Sequence, residues 1–210
     1  MKRDESKIVV GIFDKLAKLY QEKFMDVSIY HSTFDFFCAA IPKESPEILE
    51  LACGPGNITK YLIQKRPDFK FLSTDLDPCM IALAKVNNPS VSFQVLDIRK
   101  INQLPNKYDA IVCGFCFPFL AINEIEKLIA DATQILNPNG VIYLSTIEAD
   151  YNHSGLKKGS TGDEMFLHYY LEKDITSILK KNDFEILDLK RINSPSQETK
   201  DLIIIAKHRE

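Results

Sequence analysis

From the N-terminus, apolar positions first recur in steps of four: Ile8, Ile12, Leu16, Tyr20 and Phe24. That spacing places them on one helix face. Ile29, Phe34, Phe37, Cys38 and Ile41 suggest a second helix, and Pro42 and Pro46 close the region. At Glu47 the period changes. Ile48, Leu49, Leu51 and Ala52 form a short apolar run, as in a strand covered on both faces. Gly54-Pro55-Gly56 then breaks it, and Asn57 starts a helix. A second strand is expected from Phe69 to Thr74, ending at Asp75, followed by a helix from Pro78 to Val86. Val91 to Leu96 alternates as a third strand and stops at Asp97; Tyr108 to Gly114 is a fourth. Asn123 with Glu126 three later reads as a capping box opening a helix to about Leu136. A turn at 137–140 leads into a fifth strand, Val141 to Ser145. Ile147 to Tyr170 has no clear period and reads as an irregular insertion. A helix from Glu172 to Lys181, a strand from Phe184 to Leu189, a turn at Ser194-Pro195 and a strand from Asp201 to Ala206 complete the pattern.

Strands alternating with helices predict an α/β fold with a parallel sheet and right-handed crossovers. The last two strands, joined by a short connection, must be antiparallel neighbours. The 210 residues suit one domain, 1–210, with a helical N-terminal part, 1–45. At 45% hydrophobic and 26% charged the composition is that of a globular protein, and a net charge of −3 gives no global field for nucleic acid. No run reaches the ~18–20 apolar residues of a membrane span. The charged start, Met1-Lys2-Arg3-Asp4-Glu5, is not that of a signal peptide. Five scattered cysteines argue for reduced thiols in a cytoplasm.

The candidate chemistry gathers at the ends of the first strands. Gly54 and Gly56 remove side chains where the backbone turns toward a helix N-terminus whose bare amides suit a polar ligand. Glu50 is an acid inside the apolar strand, where an unpaired carboxylate is costly. The dinucleotide pattern G-x-G-x-x-G fails at Thr59. Asp75 lies 21 positions after Gly54, close to the ~20-residue offset of a ribose-binding acid. Cys113-Gly114-Phe115-Cys116 has redox spacing but ends a strand, whereas the redox motif opens a helix; no redox or metal role is expected.

Glu50-Leu51-Ala52-Cys53-Gly54-Pro55-Gly56 resembles motif I of the class I S-adenosylmethionine-dependent methyltransferases, and the segment from Phe71 through Asp75 to Met80 resembles their second motif. The resemblance runs from about Tyr20 to the C-terminus. It implies a Rossmann-like, mostly parallel seven-stranded sheet with an antiparallel last strand, an N-terminal helical lid, and S-adenosylmethionine as cofactor. In that frame Asp75 holds the ribose hydroxyls, Asp97 and the Ile98 amide meet the adenine, and Leu76, Met80 and Ile98 sandwich it. Gly54, Gly56, Cys53, Cys113 and Gly114 face the methionine end, Glu50 tethers the glycine loop through its amides or the amino group of the cofactor, and Tyr20 is a lid residue near the cofactor.

For the acceptor, the segments expected over the strand ends offer Tyr30, His31, Phe115, Tyr151, His153 and His168. His31, Tyr151, His153, His168, Tyr169 and Tyr170 are the candidates for a general base. The segment after the fourth strand lacks the Asp/Asn-Pro-Pro-aromatic pattern of enzymes that methylate DNA bases. The expected partner is a small-molecule methyl acceptor, with no nucleic acid or membrane, and the expected state of the protein is a monomer or homodimer. The alternative is a non-catalytic protein that binds the cofactor or its product.

Overall fold

The structure is a computed structural model. It describes residues 5–159, 161–194 and 199–209, with side chains from residue 8. The expected turn at Ser194-Pro195 lies partly outside the described residues, at Pro195.

Two helices come first, α1 (Glu5–Phe24) and α2 (His31–Ala39). There follow β1 (Glu47–Leu51), α3 (Asn57–Lys65), β2 (Lys70–Asp75), α4 (Pro78–Asn87), β3 (Ser92–Val95) and β4 (Tyr108–Gly114). After α5 (Ile122–Ile135) and β5 (Leu136–Glu148) come a short hairpin, β6 (Gly155–Lys158) and β7 (Glu164–Leu167), and then α6 (Glu172–Lys181), β8 (Phe184–Asn193) and β9 (Lys200–His208). Seven strands form one sheet in the order β3-β2-β1-β4-β5-β9-β8. β1 to β5 run parallel; β9 is antiparallel to both β5 and β8, between which it inserts.

Alternation along the central strands sends neighbouring residues to opposite layers. Ile48, Ala110, Val112, Tyr143 and Ile203 pack with Phe34, Phe37 and Leu62 of α2 and α3. Leu49, Ile111, Leu144 and Ile204 pack with Ile125, Ile129, Ile175 and Leu179 of α5 and α6. Both faces are covered, which is why β1 and β4 read as continuous apolar runs.

Several boundaries differ from the sequence pattern. The step-of-four face on α1 is displaced: Ile8 and Phe24 are exposed, while Ile12 and Ala17 are buried. This helix rests on a cavity wall rather than on the sheet, so its apolar stripe is shorter and drawn from different turns. Ile29 is exposed in the 3-10 turn before α2. The helix after β4 opens two residues earlier than the Asn123–Glu126 pair implies: the Glu124 carboxylate accepts from the Ala121 amide at 2.9 Å. The expected turn at 137–140 lies inside β5 as an irregularity between the pairs Tyr108–Leu136 and Ala110–Val141, with Asn139 at φ 62°. The segment 147–170 is not irregular: it holds the antiparallel β6–β7 hairpin.

The expectation that all five cysteines are reduced is overturned. Cys113 and Cys116 form a disulfide, with Cα atoms 6.2 Å apart. The chain reverses within three residues at the end of β4, where Phe115 takes a φ of 54°, and this folds one thiol back onto the other. Cys38 and Cys53 remain free and buried, and Cys79 free and exposed.

Candidate cofactor and acceptor cavity

The carboxyl ends of β1, β2, β3 and β4 open into one cavity of about 650 Å³. It reaches across to α1, the turn 117–119 and the start of α5, so its walls come from different parts of the chain.

At its centre stands Asp75, the last residue of β2. Its Oδ2 accepts from the Gly54 amide at 2.8 Å and its Oδ1 from the Asp77 amide at 2.9 Å. The carboxylate is thus clamped to the glycine turn and still has lone pairs for a ligand. Burial pushes its pKa up, and the two amides oppose that shift. Tyr20 reaches over the turn from α1, and burial, with the Asp75 charge second, pushes its hydroxyl up to about 12. Leu76, Met80, Leu96 and Ile98 give the next wall, an apolar slot between α4 and the end of β3.

Asp97 also borders the cavity. Its side chain caps the 3-10 turn 98–103 by accepting from the Arg99 amide at 3.0 Å, and it takes the Arg99 guanidinium at 2.7 Å. Burial would raise this carboxyl, but the Arg99 side chain and amide hold it below its ordinary value. Sequence reasoning missed the Arg99 partner, although an acid two residues before an arginine at a strand end is its signal.

The far end is lined by Phe13, Phe115, Cys116, Phe119, Leu120, Asn123, Glu124 and His168. Phe13 meets Phe119 edge-on at 5.5 Å, which joins α1 to the turn after β4. His168, just beyond β7, is buried; its amide donates to Pro118 O at 2.8 Å, and Tyr151 Oη lies 3.4 Å from its Nδ1. Val9, Val10, Phe13 and Phe119 were not singled out from sequence, because one-sided cover of a cavity leaves no full helical stripe.

The structure therefore brings together Tyr20, Gly54, Asp75, Leu76, Met80, Asp97, Ile98, Gly114, Phe115 and His168. It leaves the other expected residues off the cavity wall. Glu50 is buried in β1, where it accepts from the hydroxyls of Ser73, at 2.7 Å, and Thr59. Through Oε2 it ties β1 to β2 and α3, and burial pushes its carboxyl up to about 7. Cys53 packs with Ile81 and Ala84 of α4, and Cys113 lies in the core under β4. Gly56, at φ 79°, faces α4: a Cβ there would sit 2.4 Å from Asn88 Nδ2. Tyr30 turns to the opposite layer and donates to Asp201 at 2.6 Å. His31 stacks on Tyr61 at 4.0 Å, away from the strand ends. Tyr151 touches the cavity only through His168, and His153 is exposed. Among the other base candidates, Tyr170 donates to Leu120 O at 2.5 Å in the core, and Tyr169 lies under Lys157.

Comparison with known proteins agrees with this geometry. A methyltransferase-domain family matches residues 48–140, from β1 into the opening of β5. A malonyl-[acyl-carrier protein] O-methyltransferase of Acetivibrio thermocellus is 32% identical over 106 residues, 50% of this chain and 36% of that protein. A trans-aconitate 2-methyltransferase of Methylobacterium nodulans is 35% identical over 68 residues, 32% of this chain and 26% of its own. The chain thus spans well under half the length of either relative. Among solved structures, a Burkholderia thailandensis 1,6-didemethyltoxoflavin-N1-methyltransferase with bound 1,6-didemethyltoxoflavin and S-adenosylhomocysteine superposes with TM-score 0.76 at 16% identity, covering 100% of this chain and 91% of that one. A methyltransferase of Clostridium acetobutylicum gives 0.72 at 19% identity, covering 95% and 100%. At such identities the likeness shows the fold.

Proposed function

We propose that this chain, a member of the class I S-adenosylmethionine-dependent methyltransferases, moves the cofactor's methyl group to a small-molecule acceptor held in the same cavity. The observation that carries this reading is Asp75, clamped by the Gly54 and Asp77 amides at the mouth of β2 with an apolar slot beside it. That arrangement fits a nucleoside: a carboxylate for two ribose hydroxyls, and Leu76, Leu96, Met80 and Ile98 for the faces of a purine. Asp97 and the Ile98 amide would meet the purine edge. Gly54, Ala52 and Gly114 would line the methionine end, with the Tyr20 ring above them.

The bound cofactor supplies a methyl group on a positively charged sulfur, an electrophile that needs no further activation. The chain's contribution is then position and enclosure. Holding two reactants in line is worth up to ~7–11 kcal/mol in favourable systems. The faces of Tyr20 and Phe13 suit a cationic sulfur, a contact worth ~0.5–2 kcal/mol. α1 and the β6–β7 hairpin would act as a lid that keeps water from the reacting pair. Where the acceptor must lose a proton, His168 is the base best placed to take it, with Tyr151 orienting its ring. The cavity volume of about 650 Å³ supports a small acceptor, since single-ligand pockets span ~300–1,000 Å³.

The test is calorimetry with S-adenosylmethionine on Asp75→Ala. Two charge-assisted hydrogen bonds of ~1.5–3 kcal/mol each should be lost, so affinity should drop at least about tenfold. Unchanged affinity would move the ribose elsewhere. Turnover against a panel of small acceptors then separates an enzyme from a protein that only binds the cofactor.

A further inference from the structure

We propose that Asp14, Asp77 and Cys79 form a binding site for a thiophilic divalent cation of the zinc type, and that the ion bridges α1 to α4 beside the cofactor cavity. One donor atom from each of the three residues lies within 4.8 Å of the other two. The residues come from two elements: Asp14 from α1, Asp77 and Cys79 from the start of α4.

Asp77 supplies the observation that calls for a ligand. Its side chain is only 2% exposed. Its Oδ1 caps α4 by accepting from the Cys79 amide at 2.8 Å. Its Oδ2 is fully buried and has no hydrogen-bond partner among the described residues. A buried carboxylate oxygen without a partner is costly, and the second carboxylate, on Asp14, adds repulsion. A dication between them removes both costs.

The donor set selects the ion. A thiolate disfavours calcium and magnesium, which take oxygen ligands, and favours zinc or cadmium. Zinc bonds of ~2.0–2.3 Å at the tetrahedral angle need donors ~3.3–3.7 Å apart, so the widest pair closes by no more than about 1–1.5 Å. Asp14 and Cys79 are exposed, and the Cys79 thiol already donates to the Asp14 carboxylate, a proton the ion would displace. Three protein donors leave one position for water.

The location gives the ion a task. The other end of the α1–α4 contact is already tied, by the Asn87 amide donating to Gln21 at 2.8 Å and to Pro55 O at 2.8 Å. The Asp14–Asp77 end carries two like charges, joined among the described residues only by the Cys79 thiol donating to Asp14. Asp77 and Met80 also line the cavity, so an ion there fastens α1 over the cofactor wall.

The test uses the full chain, freed of metal with a chelator, under a phosphine reductant. Titration with cadmium should give one equivalent bound and the ultraviolet absorption of a cadmium–thiolate bond. Removing even an outer partner of a metal ligand costs ~10–100-fold in affinity, so Asp14→Asn and Cys79→Ser should each weaken binding by at least that much. Zinc should also slow alkylation of Cys79, the exposed free thiol among the described residues, in the native chain and not in Asp14→Asn. An alkylation rate indifferent to zinc, the absence of the thiolate band, or native affinity in either variant would overturn the site. Cofactor calorimetry without metal is a separate measurement, so failure here leaves the methyltransferase reading intact.

Discussion

Glu50 is the residue whose environment has the clearest consequence for stability. Its buried carboxyl rises from the ordinary 4.5 to about 7, through burial first and against the Thr59 and Ser73 hydroxyls. A carboxyl raised in the folded state holds its proton there after the unfolded chain has lost it. Stability therefore falls as pH rises from about 4.5 to about 7, by roughly 3 kcal/mol at 1.36 kcal/mol per unit, and stays low above that window. Glu50→Gln should flatten this slope. Urea unfolding at pH 5 and pH 8 checks it: the native chain should lose more stability than the variant over that interval, and parallel losses would mean that Glu50 is ionised throughout. The same residue explains Thr59. Its hydroxyl donates to Glu50, so the position that departs from the dinucleotide glycine pattern carries a structural partner instead.

Among the elements, the glycine turn depends on α4 as much as on any ligand. Asn88 Nδ2 donates to Gly56 O at 2.9 Å, and Ala84 lies 3.3 Å from where a Gly56 Cβ would be. Gly56→Val meets both neighbours at a φ that disfavours a branched side chain. It should destabilise the chain by ~1–3 kcal/mol before any effect on binding, and thermal unfolding will show a lower midpoint. A variant with normal stability and lost binding would instead restore Gly56 to the cofactor wall. The elements themselves were largely legible, because β4 and α6 each repeat one period to their ends. β1, the turn at Gly54 and Asp75 could be read together since the strand, glycine and acid follow in a fixed order. The hairpin at 155–167 was not legible: only four residues pair on each side, and Lys157, Lys158 and Glu164 break the alternation. The acceptor end was hidden for a different reason. His168, Phe13 and Phe119 meet only after α1, the turn past β4 and β7 have packed, and no local pattern encodes that meeting.

At the scale of the whole molecule, α1 and the hairpin are packed together. α1 packs on α4 and β7, and Lys15 reaches Asp163 at 3.8 Å. Amide hydrogen exchange in both should slow when cofactor and acceptor bind together, and less with cofactor alone. Equal protection without acceptor, or none in either segment, would remove the lid. The sheet order also constrains how the chain can assemble during its own synthesis. β5 and β8 both precede β9 in the chain, yet they are not neighbours; β9 is the strand that joins them. Until Lys200–His208 leaves the ribosome, β5 has an open edge carrying Val141 to Ile147, and β8 has no neighbour in the sheet. Open strand edges recruit other strands. A nascent chain halted before β9 should therefore be bound by chaperones or aggregate, while one extended past it should resist protease. Closure of this sheet waits on β9.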